Sequence, residues 1–201
     1  MVECFAFRVI NRHQHMGKTL CEKCKGSGKI WSKWIGLIEP VHPDLVFATG
    51  SMGGGLPAGV GFALAKKLKK EKGTIYVVES DGGMQVGTTW EAIQIAAQYK
   101  LNNLVLIVDD NSLQAMGETK KILNIHPLDR KLKSFGWDVR KINGHNFAQI
   151  ERTISFRTKK PLAIIAKTIK GYPISFMRGN NIFHYKNLSK QEYLKALKEL
   201  N

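Results

Sequence analysis

The fold is decided by residues 74–83, which read TIYVVESDGG. The first five residues have the β-branched and aromatic content of a buried strand, and the rest are mostly polar or glycine. Residues 104–111, LVLIVDDN, repeat this change from an apolar run to polar residues. In an open parallel sheet, ligands bind outside the carboxyl ends of the strands. The two stretches therefore predict that Asp81 and Asn111 face one crevice.

Short apolar runs alternate with amphipathic stretches from about Leu45 onward, which is typical of an α/β fold. We expect a doubly wound, mainly parallel sheet with helices on both faces. The predicted helices are residues 56–71, 88–100, 128–135, 147–156 and 189–200, and the predicted strands are 74–78, 104–108, 137–142 and 162–166. Residues 46–48 resemble the end of an earlier strand. Residues 1–44 show little periodicity and are predicted to be an atypical, shortened N-terminal segment before a domain at 45–201.

Composition limits the class of protein. With 201 residues and 43% hydrophobic content, the chain is long enough for one substantial core. No apolar run approaches the roughly 18 to 20 residues that cross a bilayer, and the start lacks the pattern of a signal peptide, so we expect a cytoplasmic protein without a membrane segment. The net charge of +15 fits nucleic acid, an acidic partner or phosphorylated ligands. The sequence has no interleaved aromatic residues or zinc-finger histidines, which argues against nucleic acid.

The cysteines are confined to the start of the chain, at Cys4, Cys21 and Cys24. Their odd number excludes the disulfide framework of a small secreted protein and fits a reducing compartment. Residues 21–28 have the CxxCxGxG form of a zinc knuckle half-site. Tetrahedral zinc needs four ligands, and no second pair occurs at a usual spacing. Free thiols are the favoured interpretation, and zinc completed by Cys4 and a histidine, or by a second chain, is the alternative.

The polar residues at the two strand ends are suited to a metal–diphosphate group. Carboxylate and amide oxygens, from Asp81 and Asn111, are hard ligands that match Mg²⁺ or Ca²⁺. Gly82 and Gly83 allow the backbone to approach a diphosphate, and the following helix offers N–H groups to its charge. Each feature alone also fits a turn or a helix cap. Their joint placement, 30 residues apart at two strand ends, favours the cofactor site.

Several other motifs occur in a fixed order along the chain. They are ATGSMGGGLPAGVGFA at 48–63, WEA at 90–92, NNL at 102–104, DNSLQ at 110–114, FGW at 135–137, NGH at 143–145, KTIKG at 167–171, SFM at 175–177 and HY at 184–185. Together with Asp81-Gly82 and Asn111, this series resembles the transketolases and related thiamine diphosphate enzymes. The resemblance covers residues 45–201, and its last part is similar to a separately encoded transketolase N-terminal subunit.

The resemblance implies a thiamine diphosphate-binding fold with thiamine diphosphate and Mg²⁺, or Ca²⁺, as cofactors. It assigns the metal to Asp81, the Asn111 side chain and the Leu113 backbone carbonyl. The implied cofactor contacts are Gly50, Ser51, Met52, Gly53, Ser80, Asp81, Gly82, Gly83, Asn111 and His145. The implied catalytic or substrate-channel residues are His15, His42, His184 and Glu91.

The sequence departs from the family pattern at three places. Ser80 replaces the first glycine of Gly-Asp-Gly, which adds a hydroxyl beside the expected diphosphate. Val86 stands where transketolases usually carry a glutamate that links the two active sites of the dimer, although Glu91 remains. The segment before the Thr-Gly-Ser loop is shorter than in the family, and within it His15 and His42 resemble the substrate-channel histidines.

The function implied by the resemblance is transfer of a two-carbon ketol unit between sugar phosphates. The glutamate that activates the aminopyrimidine belongs to another domain in this family, so we expect a separately encoded C-terminal, pyrimidine-binding subunit in an α₂β₂ heterotetramer, and no activity from this chain alone. One alternative is an NAD-type oxidoreductase, with residues 53–58 as a dinucleotide fingerprint and Glu79 as the ribose ligand. Another is a non-catalytic remnant or regulatory subunit.

Overall fold

The computed structural model describes residues 50–200 and contains a four-stranded parallel sheet. Its strands are β1 (Ile75–Ser80), β2 (Leu104–Asp110), β5 (Asp138–Asn143) and β6 (Leu162–Lys167), in the spatial order β1-β2-β6-β5. Strands β3 (Leu113–Gln114) and β4 (Gly117–Glu118) form a separate antiparallel hairpin. The predicted parallel α/β sheet is confirmed, and the predicted strand at residues 46–48 and the domain boundary at 44/45 lie outside the described residues.

Six helices accompany the sheet in the described part of the chain. They are α1 (Gly55–Leu68), α2 (Gly87–Gln98), α3 (Thr119–Ile122), α4 (Leu128–Ser134), α5 (Phe147–Ile154) and α6 (Lys190–Leu200), with short 3₁₀ turns at Gly83–Gln85 and Asn181–His184. No helix among residues 50–200 is both long and apolar enough to cross a membrane.

Some element boundaries differ from the predicted ones, because backbone pairing lengthens a strand or a turn ends a helix early. Strand β2 continues past Val108, because Asp109 and Asp110 pair with Ala166 and Lys167 of β6. Helix α1 ends before Glu71, because Lys70 has a φ of 57° and the Glu71 N–H turns back to bond the Lys66 carbonyl. The hairpin and both 3₁₀ turns were not predicted.

Helices cover both faces of the sheet. On one face, Leu56 and Val60 of α1 and Ile93 of α2 pack with Val77 of β1 and Leu106 of β2 in a buried cluster. On the other face, a smaller buried cluster contains Val105, Leu162 and Ile164, with Ile154 of α5 packed against it. Because helices cover both faces, the sheet lies in the middle of the domain. The polar residues of the predicted site lie at the carboxyl ends of its strands.

Helix α1 approaches β1 closely at Gly59. A Cβ added at Gly59 would lie well inside the van der Waals contact distance of Val77 Cγ2, whereas a Cβ at Gly61 of the same helix would meet nothing within 4 Å. Val77 is fully buried and β-branched, so it has little freedom to move aside. The close approach therefore depends on the missing side chain at Gly59.

We predict that Gly59→Ala and Gly61→Ala have opposite effects on stability. Gly59→Ala should lower the free energy of unfolding by about 1–3 kcal/mol through overpacking against Val77. Gly61→Ala should raise it by roughly 0.5–1 kcal/mol, because alanine is the better helix former at an open position. Chemical denaturation of both variants and the wild type measures the difference. Equal changes in both variants would contradict close packing at Gly59.

Candidate functional site

The register of β1 and β2 places the two predicted metal ligands beside each other. Ser80 of β1 is level with Asp109 of β2, and the backbone N–H of Asp81 donates to the Asp109 carbonyl at 3.1 Å. Beyond the strand end, the Ser112 N–H donates to Asp81 Oδ2 at 2.8 Å. The segment from Asn111 to Ser112 is therefore in direct contact with the Asp81 side chain.

The Asp81 carboxylate is fully buried and accepts three hydrogen bonds. Its Oδ2 accepts from the Ser112 N–H and, at 3.0 Å, from the Thr119 hydroxyl, while Oδ1 accepts from the Gly82 N–H at 2.8 Å. These bonds use both lone pairs of Oδ2 and leave one on Oδ1. Burial raises the pKa of Asp81 to about 6, although the three hydrogen bonds oppose that rise. A cation at Oδ1 would favour the ionised form of this carboxyl group.

The Asn111 side chain is held by its neighbours in one orientation. Its Nδ2 donates to Asp109 Oδ2 at 3.0 Å, and its Oδ1 accepts from the Leu113 N–H at 2.9 Å. The Thr168 hydroxyl bonds the other oxygen of Asp109. Because Nδ2 is engaged, the amide presents Oδ1, with one lone pair remaining, as its available metal ligand.

The residues at this edge fit a metal that is shared with an anionic ligand. Among residues 50–200, no group of three His, Cys, Asp or Glu side chains is placed to hold a metal ion. Asp81 and Asn111 supply two hard oxygens, which is too few for a six-coordinate Mg²⁺ site. A diphosphate and water are suited to complete such a site, and the bare backbone at Gly82 lies beside Asp81.

Two cavities meet at this point. The smaller, about 110 Å³, is lined by residues that include Met52, Ser80, Gly82, Leu113 and His184. The larger, about 520 Å³, includes His145, Thr168 and Lys186 in its lining. Asp109, Asn111 and Lys170 line both cavities. Asn111 therefore lies between the smaller cavity, which Gly82 also lines, and the larger one.

Ser80, the departure from the family glycine, faces the smaller cavity and closes the turn behind it. Its Oγ accepts from the Gly83 N–H at 2.9 Å. The hydroxyl retains its own proton, which it can donate towards the cavity. The added side chain thus stabilises the Asp81-Gly82 turn.

The remaining predicted contacts lie in different surroundings. Gly53 is buried, with a φ of +75°, and its carbonyl accepts from the Thr88 hydroxyl. Gly83 is buried behind the turn, and neither it nor Gly50, Ser51 or Gly53 is among the residues that line the two cavities. Glu91 is exposed on α2 and lines neither cavity. Its catalytic role stays a prediction, and His15, His42 and the three cysteines lie outside the described residues.

The two predicted site histidines within residues 50–200 have different roles in the structure. His145 Nε2 accepts from the Ile169 N–H at 2.8 Å, and its ring centroid is 4.2 Å from that of Tyr172, so this histidine supports the loop that lines the larger cavity. Burial, followed by the positive charge of Lys170, lowers the pKa of His184. The imidazole of His184 is accordingly neutral near pH 7.

Two groups that shape the site were not predicted from the sequence. Thr119 is buried and donates to Asp81 from a position 38 residues away, and Asp109 orients the Asn111 amide. Asp109 lies two residues before Asn111 in the motif Asp109-Asp110-Asn111, so its carboxylate was visible in the sequence as a candidate neighbour of the amide. No local pattern indicates Thr119, because the hairpin at residues 113–118 brings it back to the end of β1.

Two relatives of this chain are named as transketolase subunits. The chain is 42% identical over 160 residues to one subunit of the apulose-4-phosphate transketolase of Actinobacillus succinogenes, covering 79% of this chain and 58% of that protein. It is 34% identical over 174 residues to one subunit of the 6-deoxy-6-sulfo-D-fructose transketolase of a Clostridium species, covering 82% of this chain and 63% of that protein. The chain thus spans about three fifths of these relatives.

A solved structure and a family description also show similarity to transketolases. The transketolase from Campylobacter jejuni superposes with a TM-score of 0.73 at 29% identity, covering 76% of this chain and 26% of that one. Residues 30–200 match the family described as transketolase, thiamine diphosphate binding domain. This match spans most of the sequence and includes the whole site built around Asp81 and Asn111. The chain therefore belongs to the transketolase family, and its residues 30–200 correspond to the thiamine diphosphate binding domain of that family.

Proposed function

We propose that this chain is the thiamine diphosphate- and Mg²⁺-binding subunit of a split transketolase. The observation that carries the proposal is the convergence of Asp81 and Asn111 at the ends of β1 and β2, each with one oxygen lone pair left for a cation. The names of two relatives, both called transketolase subunits, support a function divided between chains. The proposed reaction moves a two-carbon ketol unit between sugar phosphates.

The proposed metal ligands are Asp81 Oδ1, Asn111 Oδ1 and the Leu113 carbonyl, with Mg²⁺ or Ca²⁺ as the ion. The Leu113 N–H is tied to Asn111, which holds the backbone at Leu113 next to the site. Ser80 and Gly82 are the proposed diphosphate contacts, and Met52 lies on the wall of the same cavity. Bound thiamine diphosphate supplies the carbon nucleophile needed to break and form the bond to the two-carbon unit.

The larger cavity is the proposed passage for the substrate. Lys170 lines both cavities, and no carboxylate among residues 50–200 forms an ion pair with it. Its charge suits a phosphorylated sugar or the cofactor diphosphate. The lowered pKa of His184 leaves a neutral imidazole that can accept or donate a hydrogen bond to a substrate hydroxyl.

A second subunit is proposed to cover the mouth of the smaller cavity. Four apolar or aromatic side chains near this opening are exposed, namely Met52 (42%), Met116 (81%), Ile182 (52%) and Tyr185 (64%). An apolar surface beside a functional cleft is typical of a protein interface. We propose a pyrimidine-binding partner subunit there, in an α₂β₂ assembly.

The NAD-type alternative is less compatible with the structure. Its expected ribose ligand is Glu79, but this residue is only 3% exposed and lies on the core face of β1. The Leu56 N–H at the start of α1 bonds its carboxyl group, and burial raises the pKa of Glu79 to about 7. Glu79 is thus occupied within the fold, and a ribose hydroxyl has no access to it.

We predict that the full-length chain binds thiamine diphosphate in the presence of Mg²⁺ and that Asp81→Asn and Asn111→Ala each weaken this binding at least about 100-fold. Outer-shell changes at metal sites cost about 10–100-fold, and a direct ligand should cost more. Isothermal titration calorimetry with and without Mg²⁺ measures the affinities.

Asp129→Asn and Asn102→Ala serve as matched controls, because Asp129 pairs with Lys141 and Asn102 is exposed before β2. Both controls should bind as the wild type does. Unchanged affinity in Asp81→Asn and Asn111→Ala would reject the site assignment. Tight NAD binding without thiamine diphosphate binding would support the oxidoreductase alternative.

We also predict that two-carbon transfer requires a second, partner chain and that Met116→Glu prevents its association. A charge at the exposed hairpin tip would be buried in the interface without compensation. Sedimentation velocity and a ketol-transfer assay, with a candidate partner encoded nearby, measure assembly and activity. Leu68→Glu is the control, since Leu68 is 74% exposed at the far end of α1. Assembly without activity would favour the regulatory alternative.

A further inference from the structure

The hairpin formed by β3 and β4 is held from outside by two hydrogen bonds to one carbonyl. Asn181 Nδ2 donates to the Ala115 carbonyl at 3.1 Å, and the Tyr185 hydroxyl donates to the same oxygen at 2.8 Å. We call this pair of bonds the Ala115 latch. It connects the hairpin to the 3₁₀ turn at residues 181–184, which carries His184 into the smaller cavity.

The hairpin needs such support because its own pairing is minimal. Leu113 pairs with Glu118 and Gln114 with Gly117, and one further bond, from the Thr119 N–H to the Ser112 carbonyl, closes its base. A two-stranded hairpin of this size is not stable by itself in water. Since Ala115 directly follows Gln114, the latch restrains the backbone next to that side chain.

Gln114 lines the smaller cavity and carries an unused hydrogen-bond donor. Its Nε2 is buried and has no hydrogen-bond partner among the described residues. The side chain lies against Gly82, where an added Cβ would be 2.9 Å from Gln114 Oε1 and 3.3 Å from its Cβ. A buried amide nitrogen without an acceptor is unfavourable, and its usual explanation is a ligand or water that supplies one.

We propose that Gln114 is a further cofactor-contacting residue, whose Nε2 donates to a diphosphate oxygen, and that the Ala115 latch positions it. This inference rests on the proposed function. The diphosphate is the acceptor because Gln114 covers Gly82, beside Asp81, and follows Leu113, the proposed metal ligand. Asn181 and Tyr185 act only through the hairpin and are positioning residues.

The cofactor contact is tested with Gln114→Met, which keeps the length of the side chain and removes the amide. We expect about tenfold weaker binding of thiamine diphosphate at saturating Mg²⁺, measured by calorimetry on the full-length chain, since a hydrogen bond to a charged group is lost. Gln98→Met is the control, because Gln98 is exposed on α2. Equal affinities of Gln114→Met and wild type would overturn the contact.

The latch is tested without any cofactor by hydrogen exchange. In Tyr185→Phe and Asn181→Ala, amide exchange across residues 112–119 should become several-fold faster than in the wild type, while Tyr193→Phe, an exposed tyrosine on α6, should leave it unchanged. Unchanged exchange in both latch variants would overturn the positioning role, whatever the cofactor result.

A double-mutant comparison separates positioning from general destabilisation. If the latch acts through Gln114, Tyr185→Phe should weaken thiamine diphosphate binding in the wild type but add little in the Gln114→Met background. Fully multiplicative losses would contradict that coupling. If the wild type binds no thiamine diphosphate while residues 112–119 still respond to Tyr185→Phe, the proposed function and the Gln114 contact fail and only the latch is retained.

Discussion

The hydrogen bonds to the Asp81 carboxylate are the interaction on which the site depends. They join three segments of chain: the end of β1, the turn after β2 and the start of α3. Burying a carboxylate without compensation is costly, and three donors offset much of this cost. The raised pKa of Asp81 indicates that the compensation is incomplete in the protein alone. The proposed cation at the remaining lone pair of Oδ1 would complete it, so the residues that organise this end of the fold are also those of the proposed metal site.

Much of the fold followed from short-range patterns. The apolar runs at 104–108 and 162–166 lie within observed strands, and the placement of Asp81 and Asn111 followed from the rule that parallel strands end at one edge. Glu79 is a candidate ribose ligand in the sequence because it ends a strand. The alternating burial of β1 instead puts it on the same face as Ile75 and Val77, and the continuous apolar run at residues 75–78 does not show in the sequence which face is the more buried one.

The parts that were not predicted depend on contacts between distant segments. Strands β3 and β4 have two residues each, which is too short for any periodic pattern. Asn181 and Tyr185 reach Ala115 across 66 and 70 residues, so no local motif marks them as a pair. The orphaned Nε2 of Gln114 becomes evident only when its surroundings are known. Such features are set by tertiary packing, and the sequence alone gives no measure of it.

The parallel register of β1 and β2 has a consequence for how relatives of this chain can vary. Ser80 and Asp109 are level across the sheet, and this pairing, rather than the 30-residue interval between Asp81 and Asn111, brings the two proposed ligands together. The interval consists mainly of α2 and its connections, where an inserted residue can be absorbed in a loop. One residue inserted within β2 would instead turn the following side chains to the opposite face. Insertions and deletions between the two motifs should therefore accumulate around α2 and be excluded from the strands.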